Sequence, residues 1–197
     1  MSPIRRRPAT ALALTALLAA GLTTAAPVVW AAPSEPTAAA RTGVPAIDLD
    51  RAAAGDFGPC TTTVRGVLSK PLTIASGITC LDGATVRGPV RVEPGAGLIA
   101  TRSTVTGPVS AHGATALVLA DTTVGGPVTG TDAIGVTALL WSRVGGPVHL
   151  AGNKGPSQVL ANTVGGPLNC AGNTPEPTNA GLPNTVKGPK SGQCASL

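Results

Sequence analysis

Residues 122–128 read TTVGGPV, residues 142–148 SRVGGPV and residues 162–168 NTVGGPL. The same heptad, a small residue followed by Thr-Val-x-Gly-Pro-Val, recurs as ATVRGPV at 84–90, STVTGPV at 103–109 and NTVKGPK at 184–190. The Gly ahead of each Pro falls at 88, 107, 126, 146, 166 and 188, so the motif keeps a nearly constant step that lengthens slightly toward the end. A weaker copy, TTVRGVL at 62–68, stands about one period ahead of the first. Self-similarity at a period near 20 means one supersecondary unit stacked on itself. Leucine-rich repeats share the period but need a dense Leu and Asn consensus, which is missing. Short β-branched strands between Gly-rich corners are what a coil of a parallel β-helix requires. The expected fold is all-β: a single-stranded right-handed parallel β-helix of about 20 residues per coil and six to seven coils. Such a rod is roughly 30 Å long at the spacing of stacked strands.

Residues can be assigned to the walls of this coil. The Val after each Thr (Val86, Val105, Val124, Val144, Val164, Val186) forms one inward row. The residue after each Pro (Val90, Val109, Val128, Val148, Leu168) forms a second. Two residues on, Val92, Ala111, Gly130, Leu150 and Cys170 form a third, because alternate residues of a strand share a face. Leu98, Leu117, Leu119, Leu139 and Val159 belong to the remaining strand, whose register is open around Thr137. The Pro ladder (Pro89, Pro108, Pro127, Pro147, Pro167, Pro189) must lie at a corner, since proline cannot donate to a sheet ladder. The preceding Gly is expected to supply an unusual backbone angle there.

Composition agrees with a narrow interior. The 197 residues include 26 Gly and 19 Pro but no Tyr, one Phe and two Trp. The core must be built from small aliphatic side chains.

Residues 1–31 read as a signal peptide: Arg5, Arg6 and Arg7, an apolar stretch, and a cleavage point after Ala31 with Val29 at −3. Gly21, Thr23, Thr24 and Pro27 interrupt the apolar run, which argues against a membrane anchor. The residues flanking Arg6-Arg7 match a twin-arginine signal poorly. Leu182-Pro183-Asn184-Thr185 resembles the start of a wall-sorting signal, but Val186 follows and no hydrophobic tail does. Residues 32–56, rich in Ala and Pro, are expected to be a disordered tether, and residues 57–197 the β-helix domain. The full chain carries 14 basic and 9 acidic residues; without Arg5, Arg6 and Arg7 it carries 11 and 9, a net charge of +2. The basic balance thus belongs mostly to the leader and does not argue for nucleic acid or an anionic membrane.

Cys60, Cys80, Cys170 and Cys194 are an even set in an exported chain. Cys60 and Cys80 are one coil apart, and Cys170 and Cys194 one coil plus the insertion TPEPTNAGLP. Stacked equivalent positions lie within disulfide reach. The expected pairs are Cys60–Cys80 and Cys170–Cys194, one at each exposed end of the rod, where unpaired strands invite aggregation.

The tandem TVxG signature, the segment NTVGGPLNCAGNTPEP and the closing GQC resemble a group of small secreted bacterial β-helix proteins whose repeats commonly read TVGGNV. The likeness covers about residues 57–197. It implies the fold and export and offers no catalytic residues to carry over; no cofactor or metal is expected from the residues themselves. Proline here replaces an Asn ladder of that group, which bears on the corner geometry. A weaker likeness runs to bactofilins, polymerising β-helices that are cytoplasmic and uncapped.

Catalytic chemistry is thin. Asp82, Glu93, Asp121, Asp132 and Glu176 occupy different positions in their coils, so no two form an acid/base couple or an oxygen cage. Glu35, Asp48, Asp50 and Asp56 lie in the tether or at its edge. His112 and His149 lie at different offsets and two coils apart. Ser103 and Ser142 have no His–acid neighbour to activate them. The candidate binding face is the outward row Thr85, Thr104, Thr123, Thr163 and Thr185, interrupted by Arg143, together with Trp141. Threonine also suits any exposed strand for its β-branched shape alone. The expected function is a secreted, monomeric, non-enzymatic structural or interaction module, with a cell-wall glycan or a surface protein as partner and neither nucleic acid nor membrane. A carbohydrate-binding module and a polysaccharide-active enzyme are the alternatives.

Overall fold

The computed structural model describes residues 59–197; the expected leader (1–31), the whole of the expected tether (32–56) and the first two residues of the expected domain lie outside them. Residues 59–197 form a right-handed parallel solenoid of about seven coils with three walls. Each coil contributes one strand to each wall, except that the last contributes none to the first wall. In the central coil these are Ala116–Ala120, Thr123–Val124 and Val128–Thr131. The first wall stacks six such strands, from Thr62–Val64 to Ser157–Leu160. The second stacks seven, from Val67–Leu68 to Thr185–Val186. The third also stacks seven, from Leu72–Ile74 to Lys190–Gly192. Every strand pairs in parallel with its equivalent one coil away, as in Val105↔Val124 and Val124↔Val144. Along the second wall the register runs Val67, Thr85, Thr104, Thr123, Arg143, Thr163, Thr185, so the coils lengthen from first to last.

The interior is the expected aliphatic column. Val86, Val105, Val124, Val144 and Val164 stack on one side, and Val90, Val109, Val128, Val148 and Leu168 on the next. On the first wall two rows point inward: Leu81, Ala100, Leu119, Leu139, Val159, and beside it Thr79, Leu98, Leu117, Thr137, Ser157. This resolves the open register. Thr137 pairs with Leu117 and sits fully buried, with its Oγ1 lacking a hydrogen-bond partner. A buried hydroxyl without a partner costs about 1–3 kcal/mol. Thr137→Val is therefore expected to stabilise the fold by about 1 kcal/mol, read as a rise in the urea midpoint at unchanged slope.

The Gly-Pro corner joins the second wall to the third, as expected, but the reason for its glycine differs. Only Gly88 has a left-handed angle there, φ 140°. At Gly107, Gly126, Gly146, Gly166 and Gly188 the constraint is close stacking. A Cβ on Gly126 would stand 2.8 Å from Pro108 N, and one on Gly166 would stand 2.7 Å from Pro147 N. The Gly-Pro peptides lie so tightly one over another that any side chain meets the backbone of the coil before. Gly126 N–H donates to Gly107 O (3.3 Å), and the proline carbonyl accepts from the strand of the coil before, as in Val109 N–H to Pro127 O (3.0 Å).

Two further expectations are corrected. TTVRGVL at 62–68 is not a heptad copy in register: Thr62–Val64 lies on the first wall, and Val67–Leu68 occupies the Thr-Val position opposite Thr85–Val86. The shorter first coil shifts the motif across a corner. Both disulfides form between the expected cysteines, with Cα separations of 5.7 Å and 5.2 Å. They are not stacked equivalents, however. Cys80 is in register with Thr63 and Cys170 with Gly192, so Cys60 and Cys194 reach their partners from three and two residues away.

Polar ladders occupy the other two corners. In the position before Thr-Val, Ala84 N–H donates to Ser103 Oγ, Thr122 N–H to Ser142 Oγ, Ser142 N–H to Asn162 Oδ1 (2.8 Å) and Asn162 N–H to Asn184 Oδ1 (3.0 Å). Between the third wall and the first, Ala133, Asn153 and Asn173 donate likewise to Asn153, Asn173 and Gln193. Corners break the sheet ladder, and these side chains satisfy the amides left over. Asn162 Nδ2 also donates to Leu139 O (2.8 Å). Asn162→Ala orphans the Ser142 amide and that carbonyl inside the fold, so it should cost about 2 kcal/mol in denaturant unfolding.

Candidate binding face

The second wall has one inward and one outward residue per strand. Its valines fill the interior, and Thr85, Thr104, Thr123, Arg143, Thr163 and Thr185 form an unbroken outward row in register. Arg143 occupies a threonine position and continues the row.

Trp141 lies at the corner between the first wall and the second, 47% exposed, with φ 46°. The same left-handed corner position is held by Gly83, Arg102, Asp121 and Ala161 (φ 60°, 48°, 49° and 53°). Ordinary residues stand there because the coils above and below fix the bend; each carries strain of roughly 1–2 kcal/mol. The strain is shared by the corner and does not single out Trp141.

The structure brings Trp141 and part of the Thr row together. A shallow recess of about 180 Å³ is lined by Asp121, Thr123, Trp141, Arg143, Ala161 and Thr163, with Thr122 and Ser142 beneath. Thr85, Thr104 and Thr185 belong to the same row but lie outside the recess. Asp121 and Arg143, which look like scattered charges in the sequence, line the same hollow. Their signal was the period itself: Asp121, Trp141 and Ala161 are one repeat apart in turn, as are Thr123, Arg143 and Thr163.

The remaining candidates stay apart or pair locally. Asp82 lies 2.8 Å from Arg102 and 3.1 Å from Arg65; the Arg102 hydrogen bond, then that of Arg65, hold its carboxyl below the usual value. Glu93 pairs with Arg91 on the same strand face. His112 Nδ1 lies 3.1 Å from Thr131 Oγ1 and 3.4 Å from Asp132 Oδ2. His149 sits in the row of Thr129, two positions from the row of His112. Among the described residues no three of His, Cys, Asp and Glu converge on one point.

Fold and face together define a disulfide-capped parallel β-helix with a polar, Thr-rich wall that runs past a half-exposed Trp. Comparison of the chain with protein-family profiles, with curated proteins and with solved structures finds no match. Two closed disulfides with no free cysteine among the described residues fit an oxidising, extracellular compartment. No helix among them is long and apolar enough to cross a membrane.

Proposed function

We propose that the protein is a secreted, non-enzymatic structural or interaction module that works at or outside the cell surface as a rigid, monomeric rod. The observation that carries this reading is the shape of its surface. The recess at Trp141 holds about 180 Å³, whereas pockets that enclose a small molecule run to about 300–1,000 Å³. Such a hollow can grip the edge of an extended chain and cannot enclose a substrate. Rigidity follows from the ladders: each wall and each corner is bonded to the coil on either side. The signal-peptide reading, the disulfides and the resemblance to small secreted bacterial β-helix proteins support export.

A second reading, a carbohydrate-binding module, is favoured by one specific feature. An apolar ring flanked by Thr, Arg and Asp side chains suits a sugar's apolar face and its hydroxyls together. Replacing the ring should weaken retention on insoluble cell wall or polysaccharide roughly tenfold, the equivalent of about 1.4 kcal/mol. Trp141→Gly is the informative variant, since glycine accepts the left-handed angle without strain, which offsets part of the packing lost with the half-buried ring. Binding by Trp141→Gly equal to that of the parent would remove the glycan reading.

A further inference from the structure

Charge is spread unevenly over the three walls. Among the described residues, six basic side chains stand on the second wall or at its two corners. Arg65 and Arg102 lie at the corner with the first wall, Arg143 in the wall itself, and Lys70, Arg87 and Lys187 at the corner with the third. All six are exposed. The acids of this strip are two, Asp82 and Asp121. The rest of the described surface is balanced, with Arg91, Lys154 and Lys190 against Glu93, Asp132 and Glu176. Six bases against two acids leave a side-chain charge of +4 on the strip and zero elsewhere among the described residues. Most of the strip's cations are also free. Lys70, Arg87, Arg143 and Lys187 pair with no acid among the described residues, whereas Arg91 on the third wall is matched by Glu93. Arg65 and Arg102 share one carboxylate, that of Asp82 (3.1 Å and 2.8 Å), so that group keeps a positive charge. The wall between the corners is two residues wide, as in Thr85–Val86 and Thr163–Val164, so both lines of cations flank the same row of Thr hydroxyls. Like charges gathered on one narrow face repel one another, and an oppositely charged partner relieves the repulsion.

We propose that this strip is the docking surface for an acidic polysaccharide, a glycan whose sugars carry carboxylates, laid along the rod. The proposal rests on the carbohydrate-binding reading above and names the class of glycan. Charge complementarity selects an anionic occupant. Four of the six cations are arginines, Arg65, Arg87, Arg102 and Arg143, and the planar guanidinium takes a carboxylate through two parallel hydrogen bonds. The Thr row supplies partners for sugar hydroxyls, and Trp141 a surface for a sugar's apolar face. A nucleic acid fits less well. Channels for single strands stack successive bases on aromatic side chains, and Trp141 is the one aromatic residue among those described. The length suits a polymer. Arg87 and Lys187 directly follow Val86 and Val186, which are five steps apart in the stacked valine row. That is roughly 24 Å at the spacing of stacked strands, so a chain along the axis meets both.

The test compares binding of the exported chain to polygalacturonate and to the same polymer with its carboxylates methyl-esterified, by affinity electrophoresis. The proposal expects the acidic polymer to bind about tenfold more tightly, the effect of a few exposed ion pairs, and its affinity to fall as salt rises. Arg87→Gln with Lys187→Gln should weaken polygalacturonate binding about fivefold. Arg91→Gln with Lys154→Gln makes the same change of charge off the strip and should leave binding unaltered. Equal losses from the two pairs would mean that total charge alone acts, and would overturn the proposal. Equal binding of the acidic and esterified polymers would overturn the anionic preference and leave the carbohydrate reading standing, whereas binding of neither would overturn both. Double-stranded DNA that binds as tightly as polygalacturonate would overturn the assignment to a glycan.

Discussion

Gly146→Ala should lower stability by about 4 kcal/mol, one of the largest losses from adding a single methyl group to this fold. The added Cβ would stand 2.8 Å from Pro127 N and 3.0 Å from Gly126 C. Both are backbone atoms, so no side chain can rotate away, and the two coils must separate at the corner. Overpacking of this kind costs about 1–3 kcal/mol. Separation also lengthens the Gly146 N–H to Gly126 O bond, already 3.3 Å, and strains the neighbouring Val128 N–H to Pro147 O bond, worth about 1 kcal/mol each. Gly83→Ala is the matched control. It has φ 60° with no atom within 4 Å of the added Cβ, at a corner where Arg102, Asp121 and Ala161 already take the same angle. It should cost about 1 kcal/mol, the left-handed strain alone. Urea midpoints at constant slope compare the two, and equal losses would mean that close stacking is not what requires glycine at the Gly-Pro corner.

Removing the C-terminal disulfide, as Cys170→Ser with Cys194→Ser, should cost about 3 kcal/mol. The bond joins cysteines separated by 24 in sequence, and cross-links of that span constrain the unfolded chain by about this much. Both sulfurs lie in the interior column with no exposed surface, so the pair also closes the open end of the core. The loss should be local first, because each coil of a solenoid contacts mainly its neighbours. Hydrogen exchange should quicken at Lys190–Gly192 and Thr185–Val186 well before it does at Thr123–Val124. Uniform acceleration along all coils would show that the fold unravels as a single unit.

Much of this fold was legible because stacking repeats each chemical choice once per coil. The inward Val rows followed from the Thr-Val-x-Gly-Pro-Val spacing and the alternation of a strand, and the disulfide pairs from the positions of four cysteines near the ends. What stayed hidden depends on distances between coils, which a one-dimensional pattern does not carry. Gly126 and Gly146 look like residues chosen for an odd backbone angle, whereas the neighbouring peptide simply leaves no room. The corner ladder of Ser142, Asn162 and Asn184 was masked because the position varies from Ala to Ser, Thr and Asn, all small and all compatible with a bend. Cys80 resembles an interior residue by spacing alone, yet its strand sets it in register with Ile99, between inward Thr79 and Leu81, and so on the outer face. The recess at Trp141 was half visible: Trp141 and the Thr row were named from the sequence, but Asp121 and Arg143 became part of the same hollow only once the coils were superposed.

The most direct test of the functional account incubates residues 32–197 with insoluble bacterial cell wall and with common polysaccharides, then assays protein in the pellet and sugar in the supernatant. A non-enzymatic interaction module predicts protein retained in the pellet and no sugar released over the buffer control. Release of sugar that scales with protein concentration and time would contradict it, and would mean that a surface of short corners and scattered carboxylates nonetheless builds a catalytic site.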